Sequence, residues 1–101
     1  MNRRLELHEI LCEVLGTRQV YFQPPESIRM KYPAIVYSLS DIPTEFANNN
    51  PYIQSQAYEV IVVDPNPDST IVKKISQLPK CRFDRHYASD NLNHYVFTLI
   101  Y

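Results

Sequence analysis

At 101 residues the chain has the size of one domain with one hydrophobic core, and residues 1–101 are read as such. With 45% hydrophobic and 21% charged residues it has globular rather than disordered composition. A formal net charge of −1 gives no bulk positive field, and the longest apolar runs fall far short of the ~20 residues that span a bilayer; neither a membrane nor sequence-specific nucleic acid is an expected partner.

A lone glycine, Gly16, excludes the glycine-rich phosphate cradles, which need backbone to approach phosphate at several glycines. Cys12 and Cys81 have no C-x-x-C spacing and read as buried free thiols of a protein folded in the cytosol.

Residues 3–15 are expected to form an amphipathic helix. Leu7, Ile10, Leu11, Val14 and Leu15 recur on one helical face, with Arg3, Glu6, Glu9 and Glu13 largely opposite. The same interleaved charges exclude the apolar run of a secretory signal. Gly16 stands where a left-handed C-terminal cap belongs. Val20-Tyr21-Phe22 reads as a short strand, stopped by Pro24-Pro25, which have no N–H to donate.

A connection through Tyr32-Pro33 leads to residues 34–63, two β-patterned runs flanking Asn48-Asn49-Asn50-Pro51. In the first run Ile35, Tyr37 and Leu39 share one face, while Ala34, Val36, Ser38 and Ser40 share the other. Pro43 then interrupts pairing or forces a bulge. The second run, residues 52–63, is polar near the tip and apolar on both faces at 60–63, as in a strand covered on both sides. Such a strand reaches ~40 Å, against a radius of gyration of roughly 13 Å for the body. The long central β-hairpin is therefore expected to overhang its core as an arm.

Residues 64–68 read as a turn, with Asp68 or Ser69 placed to cap a second helix. Ile71, Val72, Ile75 and Leu78 face inward there, Lys73, Lys74 and Gln77 face outward, and Pro79 ends it. A strand at about 81–87, a turn at Ser89-Asp90-Asn91 and an alternating strand from His94 to Tyr101 complete the order α-β-β-β-α-β-β. Two helices on one face of a mainly antiparallel sheet make a two-layer α+β sandwich.

No constellation points to a reaction. His8 and Cys12, one helical turn apart, are two metal ligands where zinc needs three or four, the rest having to come from His86, His94 or Cys81. Asp84, His86, Asp90 and His94 form the densest polar cluster, of a type that binds divalent ions or exchanges protons. The same residues serve as a salt-bridged surface with an Asx turn, or as an oligomer interface. H-E-x-x-H, G-x-S-x-G and S-x-x-K patterns are absent, so neither enzymatic activity nor a cofactor is expected. The eight tyrosines, mostly on predicted strands, fit a core and sheet surface, and as a set they fit protein interfaces. An RNA-stacking sheet would want more basic residues beside them than Arg82 and Arg85.

Lys31-Tyr-Pro-Ala-Ile-Val-Tyr37, Tyr58-Glu-Val-Ile-Val-Val-Asp64, Pro67-Asp-Ser69, Leu78-Pro79 and Asp90-Asn-Leu-Asn-His-Tyr-Val-Phe-Thr-Leu-Ile-Tyr101 together look like one known pattern. It resembles the tail-terminator, or tail-completion, proteins of long-tailed bacteriophages, over nearly the whole chain. The resemblance implies a structural virion protein, made in the bacterial host cytoplasm and placed at the tail–head junction. It implies a ring, usually a homohexamer, that caps the tail tube. Its partners would be copies of itself, the major tail tube protein and the head–tail connector protein. The resemblance also implies that the central hairpin touches neighbouring subunits or the tube, which maps here by position onto about 42–53. Expected interface residues are Ile42, Glu45, Phe46, Asn48, Asn49, Tyr52 and Ile53, with Arg82 and Arg85. A head-side connector or stopper is the neighbouring alternative, and a small metal-dependent enzyme built on the 84–94 cluster is the alternative from another class.

Phe46→Asp is expected to leave the thermal melting of the monomer unchanged and to weaken assembly measured by light scattering. An unfolded monomer would make Phe46 a core residue and end the arm reading.

Overall fold

The computed structural model describes residues 3–25, 29–41 and 56–101. The elements are α1 (Arg3–Leu15), β1 (Val20–Phe22), β2 (Ala34–Asp41), β3 (Ala57–Asp64), α2 (Thr70–Ser76), β4 (Cys81–Ser89) and β5 (Leu92–Ile100). The strands form one sheet in the order β1-β2-β3-β5-β4. Both helices pack on the same face, giving the expected α+β class and element order. Neighbouring strands are antiparallel except β1 and β2, which are parallel.

The core lies between the helices and that one face. Leu7, Leu11 and Leu15 of α1, successive at i, i+4 and i+8, are buried with Cys12 against Ile35 and Tyr37 of β2. Tyr58, Val60 and Val62 of β3, Phe97 and Leu99 of β5, and Ile71 and Ile75 of α2 complete it. Ile10 and Val14, read with the buried stripe, are half-buried at its margin. Gly16 does end α1, at φ +85°, with its N–H on the Cys12 carbonyl at 2.9 Å.

Two local expectations change. β4 runs on to Ser89 and β5 begins at Leu92, because Asp90 and Asn91 take φ 54° and 62° and close a two-residue turn. Ser69 occupies the N-cap position of α2 with extended backbone, yet its hydroxyl makes no cap hydrogen bond and is buried without a partner. The preceding loop is held instead by two Asx turns, Asp64 accepting from the Asn66 N–H at 2.8 Å and Asn66 from the Asp68 N–H at 3.0 Å. As expected, β3 is closed on both faces: the helices cover Val60 and Val62, and on the other face Val63 is buried and Ile61 half-buried. β3 is described from Ala57 onward, so residues 52–55 of the expected long strand, and Pro43, lie outside the described residues.

Leu11→Ala removes a fully buried side chain from the centre of the α1 row and is expected to cost about 3 kcal/mol in urea unfolding. A loss below ~1 kcal/mol would show that α1 does not seal the core.

Candidate functional site

Among the described residues β4 is the last strand of the sheet, with one neighbour, and from Arg82 to Ser89 every residue is exposed. Its aromatic side chains lie along that margin. Phe83 is 51% exposed although its ring meets Phe97 edge-on at 5.5 Å, and Tyr87 is 40% exposed while lying flat on His94 at 4.7 Å. His86 leans on Tyr95, also at 4.7 Å.

A bulge decides which way these side chains point. Cys81 pairs with Leu99 and Phe83 with Phe97, whereas Arg85 pairs with Val96 and Tyr87 with His94, leaving Asp84 as the extra residue. Leu99 and Phe97 belong to the core face. Phe83 and His86 therefore sit on the helix side, while Arg82, Arg85 and Tyr87 sit on the outer side. Strict alternation would separate Arg82 from Arg85, and the bulge brings both expected interface arginines onto one face. Arg85 is held to Asp84 at 2.6 Å, an exposed ion pair that contributes little to stability.

The bulge and the hairpin also disperse the Asp84, His86, Asp90 and His94 cluster. His86 and His94 lie on opposite faces of the sheet. His86 meets the Asn93 amide oxygen at 3.2 Å and His94 the Leu92 carbonyl at 3.2 Å, while Asp90 is in the turn. Among the described residues no three His, Cys, Asp or Glu side chains stand where they would share a metal ion. Cys12 is free and buried in the core, as expected. An apolar cleft of about 280 Å³ lies between Leu7, Ile10, Leu78, Pro79, Leu99 and Tyr101. That is just short of the ~300–1,000 Å³ typical of small-molecule sites, and Lys80 is its one charged residue.

A polar group that sequence patterns did not single out joins α1 to the sheet. Tyr37 is 0% exposed, its ring tilted against Phe22 at 4.9 Å and Tyr58 at 6.1 Å. Its hydroxyl accepts from the Arg4 guanidinium at 3.3 Å and lies 2.8 Å from His8 Nδ1, to which it donates when that nitrogen is unprotonated. The Arg4 guanidinium also stands 4.5 Å over the Phe22 ring. Burial pushes the Tyr37 phenol up, and burial, assisted by the Arg4 charge, pushes His8 down. A tyrosine serving as base or nucleophile needs access and a lowered pKa. Tyr37 has neither, so the group is a structural tie. Arg4 and His8, one turn apart on the helix, were the available signal, but a partner 29 residues beyond His8 has no local signature.

Of the expected interface residues, Arg82 and Arg85 are on the exposed margin just described. Ile42, Glu45, Phe46, Asn48, Asn49, Tyr52 and Ile53 lie outside the described residues. Compared with known proteins, the chain matches no family model, no curated protein and no solved structure.

His8 gives a pH dependence of definite sign. Its folded pKa lies below the ordinary histidine value of 6.5, so between the two values the unfolded chain binds more protons. Its contribution is complete above 6.5 and is lost as pH falls through the lowered folded value. Thermal melting followed from pH 7.5 to 5.0 is expected to fall more steeply for the wild type than for His8→Gln. Parallel curves would remove His8 from the acid sensitivity.

Proposed function

We propose that this chain is a non-enzymatic structural subunit that closes into a ring on a phage tail tube and offers a surface to the head connector. The observation that carries the reading is that, among the described residues, the sheet ends in two unlike margins, β1 with three residues and β4 with nine. A ring closes through heterologous contacts, in which one patch of a subunit meets a different patch of the next. Two unlike margins on one molecule satisfy that requirement.

The sequence resemblance gives the ring its place. The stretch 31–37 runs into β2, 58–64 falls on β3, and 90–101 holds the hairpin turn and β5. The three longest resembling segments thus fall on the three central strands, and the two short ones, 67–69 and 78–79, flank α2. Six copies is the number the resemblance implies. A net charge of −1 suits partners that are proteins. The aromatic margin of β4 has the composition of protein interfaces, which are enriched in Tyr, Phe and Arg.

Purified protein mixed with tubes assembled from a major tail tube protein is expected to appear by negative stain as rings at tube ends. A protein that stays monomeric and never binds tubes would end the proposal. Binding to the connector but never to the tube would move the chain to the head side of the neck.

A further inference from the structure

We infer that copies of this chain join edge to edge, β1 of one copy pairing antiparallel with residues 86–88 of β4 on the next, so that one sheet runs on through the assembly. The inference rests on the self-association that the ring reading requires, and on no property of the tail.

Direction comes first. β1 and β2 point one way, β3 the other, β5 with β2, and β4 with β3. The two margins therefore run in opposite directions. A second copy set beside the first in the same orientation presents its β1 antiparallel to β4, the stronger of the two pairings.

Hydrogen-bond phase comes second. In β1 the Gln19 carbonyl and the Gln23 N–H are bonded to β2, at 3.0 and 2.9 Å. The residues between alternate, so Tyr21 also turns its N–H and C=O toward β2, while Val20 and Phe22 turn theirs outward. In β4 the two-residue turn makes Ser89 and Leu92 a bonded pair. Tyr87 is then bonded to His94, and His86 and Ala88 face outward. The register Val20–Ala88, Tyr21–Tyr87, Phe22–His86 joins outward groups to outward groups, with about four new hydrogen bonds.

Side-chain facing is an independent check. Val20 and Phe22 pack on the helix side, where His86 and Ala88 also lie, and Tyr21 and Tyr87 are both on the outer side. The register that satisfies the backbone leaves no side chain on the wrong face. It also sets Phe22 beside His86 and Tyr21 beside Tyr87, cross-strand aromatic pairs of a favourable kind.

The remaining question is why this half of β4. The bulge at Asp84 and the Asp84–Arg85 ion pair are devices that discourage pairing of an edge. They interrupt β4 and leave 86–89 as its regular, uncharged part, close in length to the three residues of β1.

The test combines a cross-link with a hydrogen-bond deletion. A Tyr21→Cys, Tyr87→Cys double variant, oxidised with the wild type as control for Cys12 and Cys81, is expected to give a ladder of covalent multimers on a non-reducing gel. Either single variant is expected to match the wild type. Ala88→Pro removes one outward N–H and spares the bonds to β5. It is expected to weaken self-association at least tenfold in sedimentation with melting and circular dichroism unchanged. Covalent dimers from Tyr87→Cys alone would show β4 meeting β4 and overturn the inference. Rings that form without cross-linking in the double variant would overturn it while leaving the ring reading standing. A wild type that never self-associates, alone or on tubes, would overturn both.

Discussion

Two helices side by side, each about 10 Å across, match the width of five strands spaced about 4.8 Å apart. The second helix, however, has seven residues and is far shorter than the nine-residue strand at its margin. That mismatch shapes the rest of the molecule. α1, with thirteen residues, lies along β1 and β2 and buries its leucine row there. α2 has seven residues, about 10 Å of helix, and reaches β4 near its Cys81 end, where Leu78 and Cys81 pack on the core. Beyond that point no described helix covers β4, so Phe83 meets Phe97 edge-on and is otherwise half exposed. The exposed aromatic margin thus follows from having too little helix.

The same shortage explains why α1 is tied down by more than its leucines. A helix that is the main cover of a sheet must hold one rotation about its axis, or the leucine row leaves the core. Tyr37 fixes that rotation. Its ring fills the core while its hydroxyl sits between Arg4 and His8, one turn apart on α1. Buried hydroxyls are costly unless bonded, so displacement of α1 would strand this one. The arrangement works with His8 neutral, which links a packing requirement to pH.

Much of this was legible in the sequence, and for identifiable reasons. Period-two alternation in 34–40 and 94–101 and the leucine spacing in 7–15 reflect one buried face per element, and these gave the α+β class and the element order. Gly16 was legible because a positive φ has a preferred residue. What escaped depends on geometry without a local signature. The bulge at Asp84 reverses the facing of everything before it in β4, and nothing in Arg82-Phe83-Asp84-Arg85 announces it. The parallel pairing of β1 with β2 is set by the path between them rather than by the composition of either. Ser69 has the residue type and position of a cap, yet its buried hydroxyl makes no hydrogen bond. At the site level, Arg82 and Arg85 were singled out as basic residues on a strand, but their common face was not deducible. Of the aromatic neighbours that give the margin its character, His86 belongs in the sequence to a polar surface cluster and Tyr87 to a general tyrosine excess, while nothing there singles out Phe83.

An exposed strand edge is a hazard for a soluble protein, since any other edge is a potential partner. This chain carries the hazard unevenly. The half of β4 nearest α2 has a bulge, two arginines and an aspartate, which protect it, whereas the half nearest the hairpin turn has none of these. At the opposite margin β1 is limited to three residues. Two short, complementary and oppositely directed edges permit one geometry of association and disfavour indefinite pairing in other registers. Uniform protection would be expected if solubility of a lone domain were the sole constraint. The unequal protection is what the proposed pairing of β1 with β4 of a second copy requires.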